Sequence, residues 1–337
     1  MANHTTINEL QGMPLAELHS HVGGAVDAAV LWTLAHDQGI KLPTKNYWEF
    51  EKMVTVKRRY RSFKEIDRAK YHWTELIQSS PVAMEPAVHQ TIGGAYRSHH
   101  IVLHEIRFNP MKRNRNGERD LDYIINASIR GLERAMLEYP EVRAGIILML
   151  DREFTFHQNE IIYNKALKYK HRGIIGIDIA GPQAKEFKMK NYVDLFCDAK
   201  KKGLGVTVHT GEEGQRKEMA MVVKEIIPDR IGHGIKAHQD KALMRLLVEQ
   251  GTVLEICPTS NLKVGVFKTV AELKKAYRTL FAAGVKLTIN TDGPEMYETN
   301  LAKELEFLAN NNVFTVDEIK KCTDNAFAAT FIKERSS

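Results

Sequence analysis

Short runs of apolar and β-branched residues, bounded by glycine, proline or polar residues, recur along the 337 residues of the chain. Runs of this kind are typical of buried parallel strands. Eight strands are predicted: Leu15 to His19, Ile101 to Phe108, Ala144 to Leu150, Ile174 to Ala180, Gly205 to His209, Arg230 to His233, Thr252 to Cys257 and Val285 to Asn290. Most intervals between them place apolar residues three and four positions apart, which predicts amphipathic helices such as Leu121 to Tyr139.

The alternation of strand and helix, repeated eight times, predicts an α/β fold of the (β/α)8 TIM-type barrel class. A doubly wound open sheet is the alternative, because the number of strands is easily misjudged from sequence. The long interval after the first strand predicts four helices: Asp27 to Gln38, Tyr47 to Val54, Phe63 to Ser79 and Pro81 to Ser98. An insert at this place lies over the C-terminal mouth of a barrel. We therefore expect one domain over residues 1–337, with a helical insert at about 22–100 that forms a lid or pocket wall.

The composition narrows the class of protein. The chain has 48 Lys and Arg against 42 Asp and Glu, and this net charge of +6 is too spread out to indicate nucleic-acid binding. The apolar runs are far shorter than the ~20 residues of a membrane helix. The three cysteines are far apart and odd in number, which favours a reducing compartment, and the first twelve residues lack the apolar core of a secretory signal. We expect a cytoplasmic protein that binds neither nucleic acid nor membrane; its oligomeric state is left open.

Side chains suited to metal chemistry stand at the C-terminal ends of the predicted strands. His19 and His21 are two residues apart, so both imidazoles can point the same way from one strand. His209 ends the fifth strand, and Glu212 follows it on the next loop. Each of these residues, taken alone, is also compatible with a purely structural role.

Two more such residues follow. His233 ends the sixth strand between two glycines, and Asp292 comes directly after the eighth strand. Because a barrel gathers its C-terminal strand ends, we expect all of these side chains to meet. Three imidazoles and a carboxylate suit a mononuclear zinc site with room for one water, whose pKa zinc lowers to ~7. The set indicates hydrolysis at an electrophilic carbon.

Six ordered motifs resemble those of the adenosine deaminase family: His19-Ser20-His21, Glu105 to Pro110, His209 to Glu212, Gly232 to Gly234, Cys257 to Asn261, and Thr291-Asp292. The resemblance extends from about Pro14 to Ala328. It implies a zinc-bearing barrel that converts 6-aminopurine nucleosides, or related small molecules, to 6-oxo products and ammonia.

The same resemblance implies one zinc ion per chain with four ligands: His19, His21, His209 and Asp292. It also implies three catalytic residues. Glu212 would give a proton to purine N1, His233 would hold and polarise the attacking hydroxide, and Asp292 would accept its hydrogen bond or proton. The backbone N–H of Gly181 would meet purine N3. These roles are chemically reasonable, because C6 resists hydroxide unless N1 is protonated, and burial can keep a carboxyl group protonated.

Two positions depart from the family pattern. Gly23 stands where a polar or acidic residue usually reaches the ribose end, and Gly293 replaces a second aspartate that touches purine N7. Both glycines are predicted to face the substrate, either as turn residues or by making space for a different substituent. Their presence argues against plain adenosine as the best substrate, but not against deamination.

The sequence therefore predicts a zinc-dependent hydrolytic deaminase of a 6-aminopurine nucleoside or derivative. One alternative is a modified substrate, such as a 5′-modified nucleoside or aminodeoxyfutalosine, whose acidic tail the basic runs Lys57 to Arg61 or Lys112 to Arg115 would clamp. The others are a different barrel metallohydrolase and a non-catalytic binding protein. Glu212 favours the deaminase, since protonation of N1 needs it.

Overall fold

The computed structural model describes residues 12–114, 120–213 and 216–333, and it contains all eight predicted strands. They are β1 (Leu15–His21), β2 (Ile101–Phe108), β3 (Arg143–Asp151), β4 (Ile174–Ala180), β5 (Gly205–Thr210), β6 (Arg230–His233), β7 (Val253–Ile256) and β8 (Leu287–Ile289). Each strand pairs in parallel with the next. Between the last and the first, Asp292 N donates to His19 O at 2.8 Å and His21 N to Asp292 O at 2.7 Å. The ring is thereby closed, so the barrel is confirmed and the open sheet is wrong.

The helices of the described residues follow the strands. They are α1 (Ala28–Asp37), α2 (Tyr47–Val54), α3 (Phe63–Ile66), α4 (His72–Ile77), α5 (Pro81–His99), α6 (Leu121–Glu138), α7 (Phe156–Tyr169), α8 (Val193–Lys201), α9 (Arg216–Met221), α10 (Lys241–Gln250), α11 (Pro258–Lys263), α12 (Val270–Ala282), α13 (Leu301–Asn310) and α14 (Val316–Ala329). The helix predicted over Phe63 to Ser79 is divided by a π-helical turn, Asp67–Tyr71. Four helices were not predicted: α9, α11, α13 and α14.

Local sequence explains where several helices begin. Thr155 and Thr315 each form a capping box with the residue three positions later, and Asp240 accepts hydrogen bonds from two backbone N–H groups of α10. The apolar faces of α6 and α10 pack on the outside of the barrel. Within the described ranges, no helix has the length and apolar character needed to cross a bilayer.

The inside of the barrel holds a cluster of charged residues. Arg107 on β2 lies 2.9 Å from Asp178 on β4 and 2.9 Å from Glu255 on β7. Arg230 on β6 lies 2.6 Å from Glu255 and also pairs with Glu105 on β2. All five side chains are fully buried. Because burying charges is costly unless they are paired, this cluster fixes the relative positions of four strands below their C-terminal ends.

Candidate active site

Three imidazoles converge at the C-terminal mouth of the barrel. Nε2 of His19 lies 3.2 Å from Nε2 of His21, and Nε2 of His209 lies 3.1 Å from the first and 3.2 Å from the second. His19 and His21 are two residues apart on β1, so their side chains lie on the same face of the strand, and both point into the barrel. His209 comes from β5, four strands around the ring. The predicted meeting of these side chains is therefore present.

Carboxylates stand behind two of the rings. Nδ1 of His19 lies 2.7 Å from Glu255 Oε2, and Nδ1 of His209 lies 2.7 Å from Asp178 Oδ2. Glu255 accepts a hydrogen bond from Nδ1–H of His19, so the opposite nitrogen, Nε2, carries a lone pair. Asp178 lies equally close to His209 Nδ1, as an ion-pair contact that lacks hydrogen-bond geometry. Burial lowers the pKa of His19 and of His21 well below the ordinary value, which keeps both rings neutral. Nε2 of His19 is therefore presented as an acceptor towards the other two rings.

Asp292 faces the same point from the loop after β8. Its Oδ1 lies 3.5 Å from His21 Nε2, and its Oδ2 accepts a hydrogen bond from Ser260. Burial raises the pKa of Asp292, and the hydrogen bond from Ser260 opposes this rise. Asp292 and His233 adopt φ angles of 69° and 60°. Non-glycine residues rarely take this left-handed conformation, and such strain gathers at functional sites.

These donors fit a metal ion. Three ring nitrogens at such close range are satisfied together when a cation lies between them and takes a lone pair from each. A tetrahedral zinc site with Zn–N distances of about 2.0–2.1 Å separates its ligand nitrogens by about 3.3 Å, close to the separations of 3.1–3.2 Å found here. The donor atoms of His19, His21 and Asp292 lie within 4.8 Å of one another, as do those of His19, His209 and His233. Imidazole with carboxylate suits a divalent transition metal.

Glu212 stands beside the cluster and is positioned by Asn261. Nδ2 of Asn261 lies 3.3 Å from Glu212 Oε1 and 3.1 Å from His233 Nδ1, and its Oδ1 accepts from the Tyr277 hydroxyl at 3.1 Å. Because His233 Nδ1 accepts from Asn261, its ring hydrogen lies on Nε2, which is 3.7 Å from Glu212 Oε1. Burial, and then the charge of Asp292, raise the pKa of Glu212 well above its ordinary value. Burial therefore favours the protonated form of this carboxyl group.

The cluster opens into a cleft of about 910 Å³, a volume that includes its open mouth. Strand ends provide one part of the lining, with His21, His209, Glu212, His233 and Asp292 among them. The segment between β1 and β2 provides another part, with Phe63, Asp67, Tyr71 and Glu75. The expected pocket wall is thus present.

Two of the predicted substrate-facing glycines line this cleft. Gly181, at the end of β4, has a φ of 95°, and a Cβ there would lie 2.9 Å from Asp151 Oδ2. A Cβ at Gly23 would lie 3.0 Å from the Tyr71 ring and 3.1 Å from Arg113 Nη2. The space beside Gly23 is therefore filled by these two side chains and is not open to a substituent.

Gly293 is placed differently. A Cβ there would lie 3.2 Å from Gly24 Cα and 3.4 Å from the Tyr297 ring. Among the described residues, the lining of the cleft includes Asp292 but not Gly293. Gly293 thus allows two backbone segments to pack closely, and its contact with substrate stays a prediction.

Residues 14–337 match the sequence model of the family described as adenosine deaminase. The chain belongs to the adenosine deaminase family. It is 28% identical over 325 residues to an adenosine deaminase of Enterococcus faecalis (strain ATCC 700802 / V583), a match that covers 96% of this chain and 94% of that protein. The match extends almost the full length of both proteins.

Solved structures share the fold. An Arabidopsis N6-mAMP deaminase has a TM-score of 0.82 at 21% identity, covering 97% of this chain and 96% of that one. An amidohydrolase from Burkhoderia ambifaria with bound Zn has a TM-score of 0.83 at 18% identity, covering 99% of this chain and 90% of that one. At these identities the similarity establishes the barrel fold of this chain.

The two basic runs lie in different places in this deaminase-family chain. The arginines of the first run are exposed, and the described cleft lining does not include them: Arg58, Arg59 and Arg61. In the second run Lys112 and Arg113 line the cleft, while Arg115 lies outside the described residues. Lys112 Nζ lies 2.7 Å from Asp151 Oδ2, and Arg113 Nη1 lies 3.0 Å from Glu75 Oε1. Both of these cations are therefore already paired with acids.

Four residues of the site had no role assigned from sequence: Asp178, Glu255, Ser260 and Asn261. Asp178 and Glu255 stand behind the imidazoles of His209 and His19, and Asn261 connects Glu212 with His233. A signal for the two acids exists, since each is a charged residue inside an otherwise apolar strand. Ser260 and Asn261 lie within one of the family-like motifs, which carried no information about their partners.

Proposed function

We propose that the chain is a zinc-dependent hydrolytic deaminase of a 6-aminopurine nucleoside or derivative, and that it releases ammonia. The observation that carries the proposal is a buried carboxyl group, Glu212, whose pKa burial raises and which Asn261 holds next to the converging imidazoles at the base of a cleft. Ester or amide hydrolysis by a metal site does not require such an acid at this place. Protonation of a ring nitrogen does, because it makes the neighbouring carbon electrophilic.

The proposed zinc ligands are His19, His21, His209 and Asp292. When bound, the ion supplies Lewis acidity that lowers the pKa of a water molecule to about 7. The bound Zn in the Burkhoderia ambifaria amidohydrolase of similar fold supports this choice of metal. Glu255 and Asp178 keep His19 and His209 in the tautomer that leaves Nε2 free to bind it.

The remaining side chains act on protons and on orientation. Glu212 donates its proton to N1 of the purine, and Asn261 keeps the carboxyl group in position. His233 donates its Nε2 hydrogen to the attacking oxygen and so holds it over C6. Asp292 accepts the proton that the attacking water loses and passes it to the 6-amino group. The C6–N bond then breaks as ammonia leaves, and the C6 hydroxyl returns its proton to Glu212. Gly181 offers its backbone N–H to N3 from the wall of the cleft.

A screen for ammonia release by the zinc-loaded protein tests this function. The panel contains adenine, adenosine, 5′-modified adenosines, aminodeoxyfutalosine, and simple esters and amides. We expect ammonia from adenosine-type substrates, and a loss of about a hundredfold or more in Glu212→Gln with zinc still bound. Glu249→Gln, at an exposed position on α10, serves as the matched control and should keep full activity.

Two results would contradict the proposal. One is hydrolysis of the esters or amides without any ammonia from a purine. The other is a Glu212→Gln variant that keeps its zinc and deaminates as fast as Glu249→Gln, since the proton donor would then be a different group.

A further inference from the structure

One acid of the cleft wall has no part in the chemistry proposed above. Asp67 begins the π-helical turn Asp67–Tyr71 and is partly buried at the cleft. Within the three described ranges its carboxylate forms no hydrogen bond or ion pair. The other cleft acids are engaged: Asp151 and Glu75 pair with cations, and Glu213 accepts from the Phe63 backbone N–H at 2.7 Å.

Four charged side chains have the largest electrostatic effects on Asp67. Lys112 lowers its pKa, whereas Glu75, Asp151 and Glu153 raise it. Burial, together with these three acids, raises the pKa of Asp67 to about 6 against the opposing effect of Lys112. At pH 7 and above, the cleft wall therefore presents a carboxylate that has no counter-ion of its own.

The position of Asp67 complements the lack of a side chain at Gly23. Tyr71 lies on the same helical turn, and its ring lies against Gly23 at the wall next to the ligand His21. The loop after β1 thus offers no acceptor side chain at this wall. The π-helical turn Asp67–Tyr71, which packs over this loop, offers an acceptor in the carboxylate of Asp67.

An anionic ligand would meet an unfavourable site here. It would have to share Lys112 with Asp151 or Arg113 with Glu75, so neither cation offers it an uncompensated positive charge. The carboxylate of Asp67 at the same wall would in addition repel it.

We propose, on the basis of the deaminase function above, that Asp67 is a specificity-determining residue. It holds the non-purine arm of the substrate through a hydrogen-bond donor, a hydroxyl or an ammonium group, and it disfavours arms that end in phosphate or carboxylate. The substrate class is therefore a nucleoside with a neutral or cationic arm. Nucleotides and acid-tailed nucleosides are poor ligands.

Binding of product-like ligands, which cannot be deaminated, tests this role independently of turnover. The probes are inosine, 5′-amino-5′-deoxyinosine and IMP, titrated by calorimetry into the zinc-loaded protein at pH 7.5. We expect IMP to bind at least about tenfold more weakly than the amino ligand, and Asp67→Asn to reduce this ratio by about tenfold. Glu65→Gln, two residues away and exposed, removes the same charge outside the cleft lining and should preserve the ratio.

A pH series adds a second readout. As the pH falls from 7.5 to 5, Asp67 gains a proton around pH 6, so the preference of the wild type for the amino ligand over inosine should decline. In Asp67→Asn the preference should not change with pH. Asp67→Ser serves as a second variant if the first unfolds.

The two proposals fail separately. Discrimination among the three ligands that depends on Asp67, without deamination of any purine, contradicts the proposed reaction and leaves the role of Asp67 intact. Deamination with an unchanged ligand ratio in Asp67→Asn overturns the role of Asp67 alone. Tighter binding of IMP than of inosine to the wild type, or no binding of any of the three, also overturns it.

Discussion

Glu255 joins the metal site to the charged interior of the barrel, so its conversion to glutamine tests both. One carboxylate oxygen lies 2.7 Å from His19 Nδ1 and 2.9 Å from Arg107 Nη2, and the other lies 2.6 Å from Arg230 Nε. Glutamine has the same shape but offers a single acceptor oxygen. Its amide N–H groups would face a guanidinium or an imidazole N–H, which are themselves donors.

Two effects of known size follow from these contacts. Removing one partner of a buried ion pair costs about 3–5 kcal/mol. We expect the free energy of unfolding to fall by about 3 kcal/mol, because Asp178 still pairs with Arg107 and Glu105 still pairs with Arg230. Removing the carboxylate behind a ligand histidine weakens metal binding by about ten- to a hundredfold, which is about 1.4–2.7 kcal/mol.

The assay separates the two effects. Urea unfolding in the presence of a chelator measures the free energy of unfolding without metal, and competition with a chromophoric chelator measures zinc affinity. Glu304→Gln is the matched control, because Glu304 is also fully buried but, among the residues that the structure describes, hydrogen-bonds to Thr299 and Thr259 and to no cation. Burial raises the pKa of Glu304 to about 7, so an amide resembles its protonated form, and we expect a loss of about 1 kcal/mol or less. If Glu255→Gln lost no more stability than Glu304→Gln and bound zinc as tightly as the wild type, the reasoning would be refuted.

Two further predictions concern single positions. A Cβ at Gly232 would lie 3.0 Å from His209 Nδ1 and 3.1 Å from His19 Cε1, so Gly232→Ala should cost about 1 kcal/mol or more and weaken zinc binding in a chelator competition. Gly94→Ala in α5, where a Cβ meets nothing within 4 Å, should instead raise the melting temperature, and equal effects at the two glycines would contradict this packing. His104 is buried with neither ring nitrogen bonded to a described residue, and burial lowers its pKa from 6.5 to about 4. Because the unfolded chain takes up this proton first as the pH falls, the wild type should lose about 3 kcal/mol relative to His104→Leu between pH 6.5 and 4, and parallel stability curves would disprove it.

Much of the barrel could be predicted because its buried parallel strands are apolar runs that glycine, proline or polar residues bound at each end. The convergence of the site residues could be predicted for a related reason. In a barrel all C-terminal strand ends meet, so His19, His209 and Asp292 need no sequence proximity to come together. The short helices α9 and α11 were missed because six residues hold too little of the helical repeat to be distinguished from a loop.

The partners of these residues could not be predicted. Asp178 and Glu255 are visible as charges in apolar strands, but which arginine or histidine each one meets depends on the register around the ring. The space beside Gly23 is a similar case, because it is filled by Tyr71 and Arg113 from two separate segments. The glycine at position 23 therefore does not leave an open space in the fold.

The central claim is that one divalent ion is held by groups that are distant in sequence. Crystals of the zinc-loaded protein, measured on both sides of the zinc absorption edge, test it most directly. The account predicts one anomalous peak per chain within about 2.0–2.2 Å of the Nε2 atoms of His19, His21 and His209 and of an Asp292 oxygen. A peak bound elsewhere, or full zinc occupancy with these imidazoles turned away from one another, would contradict it.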